Sequence, residues 1–528
     1  MRLGIDFGTT RTVVAVVDRG NYPVVAFGGP DGEMREWFPP LVAICGPRRL
    51  YGWQAWAMQG ESNWTIIRSI KRYLQDAGPY TIVEAGGQRI PLLQLLREMM
   101  SDLRQAILNE LRTQPNEPLQ VMLGVPANSN GNQRYVTTEA FREAGFQVLG
   151  LLNEPSAASI EFGHRTRVGR SKTPGSILVY DLGGGTFDAS LVEVGAKSHS
   201  VFASEGISTL GGDDFDTILA DFALETAGID EAARDSLTQA EIFRLHEECR
   251  EKKETLHPNT RRLVIDLEIV RPGWPQVSVL ANDFYERCRS LVEETLHAVD
   301  DLLASQNAPP NEIIYVTGGA SDLPLVARIL REVYGRRVQR SPYTRSATAI
   351  GLAIQADETT GYVLRDRFLR HFGVWREAEG GRSVVFDPLF KKGTSLPGPS
   401  DPPIESRRSY RPVHNIGHFR YLECSHLGDD GRPTGDIMVW DEILFPFDPK
   451  LQEGELVKEP VLAGAQPAFG VAEESYACDL AGVVSVTIAN RSAGYERTYR
   501  LGRWSSNDEA IVPGKKKRPS QKNGSRRQ

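Results

Sequence analysis

Two aspartates, each ending an apolar strand and each followed by a turn of glycine and threonine, are the residues of this chain best placed to do chemistry. Asp6 stands in Leu3-Gly4-Ile5-Asp6-Phe7-Gly8-Thr9-Thr10, ahead of the apolar run 13–17. Asp181 stands in Ile177-Leu178-Val179-Tyr180-Asp181-Leu182-Gly183-Gly184-Gly185-Thr186-Phe187-Asp188, ahead of the run 191–194. A turn without Cβ atoms lets backbone N–H groups approach phosphate oxygens closely, and Thr hydroxyls add further donors. A carboxylate repels phosphate but holds magnesium, commonly through waters. Gly8, Thr9, Thr10, Gly183, Gly184, Gly185 and Thr186 are therefore candidate phosphate ligands, with Asp6 and Asp181 on the magnesium side. Either hairpin alone is an ordinary turn. The repeat of one design predicts two similar lobes whose turns face each other across a cleft, clamping a nucleotide's phosphates from both sides.

The elements that must position these turns alternate strand and helix over residues 1–355, the pattern of an α/β architecture. Helical spacing runs over 91–111, 133–144, 154–162, 244–256, 284–305 and 324–334; strands are expected at 119–125, 148–152 and 313–316. Pro155 falls in the first turn of its helix, where a missing N–H costs nothing. A charged stretch, 356–371, joins this part to 372–504, where Gly, Pro, aromatics and short alternating runs predict an all-β domain. Residues 505–528 are polar and basic, with Lys515, Lys516, Lys517 and Arg518 in a row, and are expected to be disordered and solvated.

The bulk numbers are those of soluble globular protein. A chain of 528 residues is long enough for two to four domains, and a net charge of −7 argues against a chain-wide nucleic-acid surface. Nucleic-acid attraction is expected, if anywhere, at the basic tail. Met1-Arg2 leads straight into a strand without the apolar segment of a secretory leader, and no run is long enough to span a bilayer. The 5 cysteines are scattered and odd in number, which reads as free thiols in a reducing cytoplasm.

With both phosphate turns, Asn153-Glu154-Pro155-Ser156-Ala157-Ala158 and Val316-Thr317-Gly318-Gly319-Ala320 in view, the chain resembles the seventy-kilodalton heat-shock chaperones of the DnaK type. Val125-Pro126-Ala127, Gln133-Arg134, Ala144-Gly145-Phe146 and Leu210-Gly211-Gly212-Asp213-Asp214-Phe215-Asp216 follow in that family's order. In the β part, Asp479-Leu480-Ala481-Gly482-Val483-Val484-Ser485-Val486 is similar to its D-x-x-G-I-L-x-V strand pair. The resemblance implies a two-lobed, actin-like ATPase domain of duplicated ribonuclease-H-like lobes, followed by a β-sandwich that binds extended peptide. It implies ATP/ADP and Mg2+ as cofactors, and Glu154, Asp181, Thr186 and Asp188 as catalytic positions. It further places Gly211, Gly212, Asp213, Lys253, Gly318 and Gly319 around the nucleotide.

Several positions depart from the family's pattern. Its G-D-A-A-K stretch reads Gly52-Trp53-Gln54-Ala55-Trp56, so Trp56 is expected where a catalytic ammonium would stand, with Arg68 or Lys71 as possible substitutes. Its E-x-x-K-R-x-x-S helix carries Arg250, Lys253, Glu254 and His257, where Arg250 and Glu254 suit an i, i+4 ion pair of reversed polarity. Asp322 replaces an arginine near the adenine, and Ser341-Pro342 precedes two extra residues before Ser346. The linker Tyr362-Val363-Leu364-Arg365-Asp366-Arg367-Phe368 adds arginines to an acidic-apolar segment. A helical lid of roughly a hundred residues, as large as a small domain, is expected to be missing, which predicts fast ligand exchange.

The leading expectation is a divergent, lidless, cytoplasmic ATP-dependent chaperone and slow ATPase. Its partners would be unfolded or extended polypeptides, with J-domain and nucleotide-exchange co-chaperones as candidates. The alternative is a nucleotide-binding adaptor with little hydrolysis that recognises one dedicated protein. A sugar kinase of the same two-lobed class should carry a substrate domain within the lobes rather than a β-sandwich after them.

Overall fold

The computed structural model describes residues 1–501 except 62, 75–76, 78–80, 115, 167–174, 307–312, 364–366, 380–381, 399–400, 465–468 and 480–481, and gives the backbone alone at 436. The basic tail, Leu364 to Asp366 of the linker segment, and Leu480 and Ala481 lie outside the described residues.

Each aspartate-bearing strand opens a hairpin and heads a sheet of the same topology. In the first lobe Arg2–Phe7 pairs antiparallel with Thr12–Val16 and parallel with Gln120–Val125, which pairs parallel with Gln147–Asn153. In the second, Ser176–Leu182 pairs antiparallel with Phe187–Val194 and parallel with Ile313–Thr317, which pairs parallel with Val338–Arg340. His199–Ile207 extends that sheet beyond Phe187–Val194. The internal duplication is therefore present over four strands of each sheet. The central strand of the second lobe, apolar on both faces, is covered on each side: Ile177 and Val179 on one face and Leu178 and Tyr180 on the other are fully buried.

Two helices, Glu154–Thr166 and Ala347–Ala356, pack against each other between the lobes. They come close because small residues line the contact: a Cβ at Gly351 would lie 1.8 Å from the Ala157 carbonyl oxygen. Ala347–Ala356 also crosses under Arg2–Phe7 at Gly4. Glu154 thus begins a helix fixed at the junction of both lobes.

Residues from 371 onward form two four-stranded antiparallel sheets, ordered Ser383–Phe390, His371–Ala378, Ile416–Leu427, Pro433–Pro446 and Ile404–Tyr410, Ala472–Cys478, Val484–Asn490, Tyr495–Arg500. Their inner faces enclose Phe372, Val374, Tyr421, Phe445, Tyr476 and Val486, as in a β-sandwich. Glu474 is fully buried there and is held bidentately by Arg376, at 2.9 and 2.6 Å. Asp387 joins Arg376 to Arg408 beside it.

The sandwich rests on the first lobe. Helix Gly131–Glu143 starts under a capping box, Asn130 accepting from Gln133 N at 3.0 Å and the Gln133 side chain returning the bond. Gly131 N donates to Glu423 of the sandwich at 3.3 Å, and the Trp440 ring lies against Gly131. The Arg500 guanidinium covers the Tyr135 ring at 5.4 Å. All five cysteines are free, as the spacing suggested, and four are buried. No helix among the described residues is long and apolar enough to cross a membrane.

Candidate functional site

The two turns touch. A Cβ at Gly184 would lie 2.3 Å from Thr10 Oγ1, so the second turn reaches the first only because it is glycine there. Behind them opens a cleft lined from both lobes. Asp6, Gly8, Thr9 and Thr10 come from the first hairpin; Asp181, Gly183, Gly184, Thr186 and Asp188 come from the second. Glu154 enters from the N-terminus of its helix, and Gly212, Asp213, Lys253, Gly318 and Gly319 line the far end. Gly318 has φ +85° and packs so tightly on Asp181 that a Cβ would meet Oδ1 at 2.4 Å. Two expected positions do not line the cleft. Gly185 and Gly211 stack behind the turn, where a Cβ at Gly211 would lie 2.6 Å from Gly185 N.

Of the two possible substitutes for the ammonium at the Trp56 position, Lys71 lines the cleft and Arg68 does not. Trp56 does not line this cleft; its ring packs on Trp37 and Trp53 and meets Phe243 of the second lobe at 6.1 Å. The cation is Lys71, whose Nζ donates to Glu154 Oε1 at 2.7 Å. It sits on the 3-10 turn Ile70–Leu74, entered through Ser69 at φ +54°, and the burial of Ile70 and Leu74 on either side fixes its direction.

Around this one ammonium stand four carboxylates: Asp6, Glu154, Asp181 and Asp188. Burial, then the Glu154 charge, pushes Asp6 up to about 7. The same two causes push Asp188 up to about 7. Asp181 rises well above the carboxylate range through burial, then through Glu154, Asp188 and Asp6. Burial lowers Lys71, but Glu154, Asp6 and Asp188 outweigh it and leave the ammonium above its ordinary value. Four acidic side chains thus crowd one lysine, and the raised affinity of Asp6, Asp181 and Asp188 for protons marks a place where a bound cation would relieve their repulsion. A set of half-buried oxygen donors without sulfur or imidazole suits a hard divalent cation such as Mg2+. Among the described residues no three His, Cys, Asp or Glu side chains converge closely enough to ligate a metal directly. Asp6 and Asp181 are oxygen donors of the kind that would hold such an ion.

The far end is built from ion pairs. Lys253 Nζ bridges Asp216 at 2.6 Å and the Gly212 carbonyl at 2.7 Å, fixing the loop that enters helix Gly212–Thr226. The expected Arg250–Glu254 pair is not made. Arg250 turns to Asp213, Asp216 and Glu247, at 3.0, 3.3 and 2.8 Å. Glu254 instead joins the lobes, accepting from Arg11 at 2.6 Å and Arg345 at 2.9 Å. Asp322 holds Arg345 Nε at 3.1 Å and accepts from Thr344 at 2.6 Å. A guanidinium thus stands on this wall, supplied by Arg345 of the stretch that carries the two extra residues.

Sequence reasoning named Lys71 only as a possible substitute and did not name Arg11 or Arg345 among the lining residues. Lys71 carried a faint signal, a cation between apolar residues that both had to be buried. Arg345 carried none, because its position depends on a loop without regular spacing.

A family model described as "Hsp70 protein" matches residues 2–370. The chaperone protein HscA of Salmonella arizonae is 33% identical over 376 residues, covering 68% of this chain and 58% of that protein. HscA of Salmonella paratyphi B is 33% identical over 377 residues, with the same shares. The chain thus spans about 58% of the length of these curated relatives.

Proposed function

The chain belongs to the Hsp70 family, and from that premise we propose that it is an ATP-dependent chaperone: ATP with magnesium binds between the lobes, is hydrolysed there, and sets the affinity of the β-sandwich for extended polypeptide. The observation that carries this reading is Lys71 among four carboxylates where the two turns meet. The Thr9–Thr10 and Gly183–Gly184 turns grip the phosphates through backbone N–H groups and hydroxyls. Magnesium, when bound, would neutralise phosphate charge, with Asp6 and Asp181 orienting its water shell. Lys71 adds a fixed positive charge beside the terminal phosphate. Glu154 and Asp188 orient a water whose oxygen bonds to the γ-phosphorus as the bond to the β–γ bridging oxygen breaks. The water's proton passes to a carboxylate of the cluster and on to solvent.

The domain limits 1–355, 356–371 and 372–504 and a cytoplasmic location belong to the same reading. So do J-domain and nucleotide-exchange partners. HscA is named a chaperone protein, which agrees with it. The dedicated adaptor is disfavoured, since its main argument was a missing ammonium and Lys71 supplies one.

The test is single-turnover cleavage of labelled ATP by excess protein with magnesium. ADP should appear on the protein and be lost in Asp181→Asn and Glu154→Gln. Arrays of apolar extended peptides should bind broadly, and more weakly with ATP than with ADP. ATP retained uncleaved, or binding of one peptide sequence alone, would favour the adaptor. No retained nucleotide would end both readings.

A further inference from the structure

Behind the phosphate turns lies a second cavity of about 360 Å³, room for several waters. It shares Thr9, Lys71, Glu154, Thr186 and Asp188 with the nucleotide cleft but none of the far-end residues Lys253, Gly318 or Arg345. The shared residues form the wall where the terminal phosphate would sit. From there the cavity runs along the Asn128–Asn130 segment to Arg370 and Met438 at the seat of the β-sandwich.

Its lining suits an oxyanion. Lys71, Arg72 and Arg370 set three cations against the carboxyls Glu154 and Asp188 at its inner end, and Asn128, Ser129 and Gln133 offer neutral hydrogen-bonding groups along it. Ser129 is 91% buried, at 9% exposure, and its hydroxyl has no hydrogen-bond partner among the described residues. A buried hydroxyl without a partner is costly, and rotation of the Ser129 side chain about its Cα–Cβ bond towards the cavity would let a group held there supply one.

We infer that this second cavity receives inorganic phosphate after ATP cleavage and conducts it out past Arg370 and Met438, so that the seated β-sandwich controls phosphate release. The inference rests on the hydrolysis proposed above. In the front, ADP and the touching turns Thr10 and Gly184 stand in the way. In the rear, the phosphate keeps its contact with Lys71 as it leaves.

Two measurements on the full chain separate this inference from the hydrolysis reading. The first follows cleavage by acid quench and phosphate release by a fluorescent phosphate sensor in one turnover. Met438→Trp, which narrows the mouth, should leave cleavage unchanged and slow release about fivefold or more, while Met438→Ala should speed it; closure elements commonly set release rates. The second measures binding of labelled inorganic phosphate to ADP-magnesium-loaded protein. Ser129→Ala should weaken it about three- to tenfold, the loss of one hydrogen bond. Release that tracks cleavage in both Met438 variants would overturn the exit route, and phosphate binding indifferent to Ser129→Ala would overturn the site. A protein that cleaves no ATP, yet binds phosphate through Ser129, would fail the hydrolysis reading and the exit route while keeping the phosphate site.

Discussion

Lys71 decides what the cleft can do, because it is the ammonium facing four half-buried carboxylates. Its removal leaves Glu154, Asp6, Asp181 and Asp188 without a neutralising side-chain charge beside the phosphates. Lys71→Ala should therefore slow single-turnover ATP cleavage about a hundredfold or more, the range for a lost transition-state donor in a closed site. Trp56→Ala should change that rate by less than about threefold, since its ring packs on Trp37, Trp53 and Phe243 outside the cleft. Equal losses in the two variants would mean that Trp56 shapes the chemistry after all. At this scale the sequence was half legible. Strand-turn patterns marked Asp6, Asp181 and the threonines, the family resemblance marked Glu154 and Asp188, and all of them line one cleft. Lys71 could be named only as a possible substitute, because a 3-10 turn of five residues has no period to read.

Helix Gly131–Glu143 is the element that carries the site to the sandwich. Its cap, Asn130, follows Asn128 and Ser129 on the wall of the rear cavity, and its first residue touches Trp440 and Glu423. Gly131 has no room for a side chain: a Cβ would lie 1.5 Å from the Trp440 ring. Gly131→Ala should push the sandwich off the helix at a cost of about 1–3 kcal/mol, the usual range for overpacking. Faster proteolysis in the 356–370 segment with an unchanged circular-dichroism spectrum would report that separation. Unaltered proteolysis would show that Trp440 swings aside at no cost. The helix itself was legible, though sequence placed its start at Gln133. The capping box moves it to Gly131, since Asn130 rather than apolar spacing decides where the first turn closes.

The seat of the sandwich on the first lobe holds a titratable group. Burial pushes Glu423 up to about 7, against the pull of Arg370, the Gly131 N–H, Arg134 and Trp440. On separation Glu423 meets water and returns towards its ordinary value of 4.5. The seated state thus binds a proton more tightly than the separated one. Its stabilisation is complete below pH 4.5 and declines as pH rises towards 7. Interdomain energy transfer between dyes on the two parts should accordingly fall between pH 5 and 8. Glu423→Gln should flatten that dependence. A wild-type profile already flat would mean that Arg370 holds the carboxylate charged in both states.

The sequence by itself determined that there are two like lobes, two phosphate turns with their aspartates, and a β part behind them. Those features are local: a turn's glycines, a strand's alternation and a helix's cap are set by residues a few positions apart. Only the tertiary structure decided which charges meet. Lys71 finds Glu154 across 83 positions, Arg11 finds Glu254 across 243, and Gly131 finds Glu423 across 292. Such pairings depend on how lobes pack rather than on spacing. For that reason Arg250 and Glu254, four apart on one helix and able to pair, each turn to partners that the fold brings nearer.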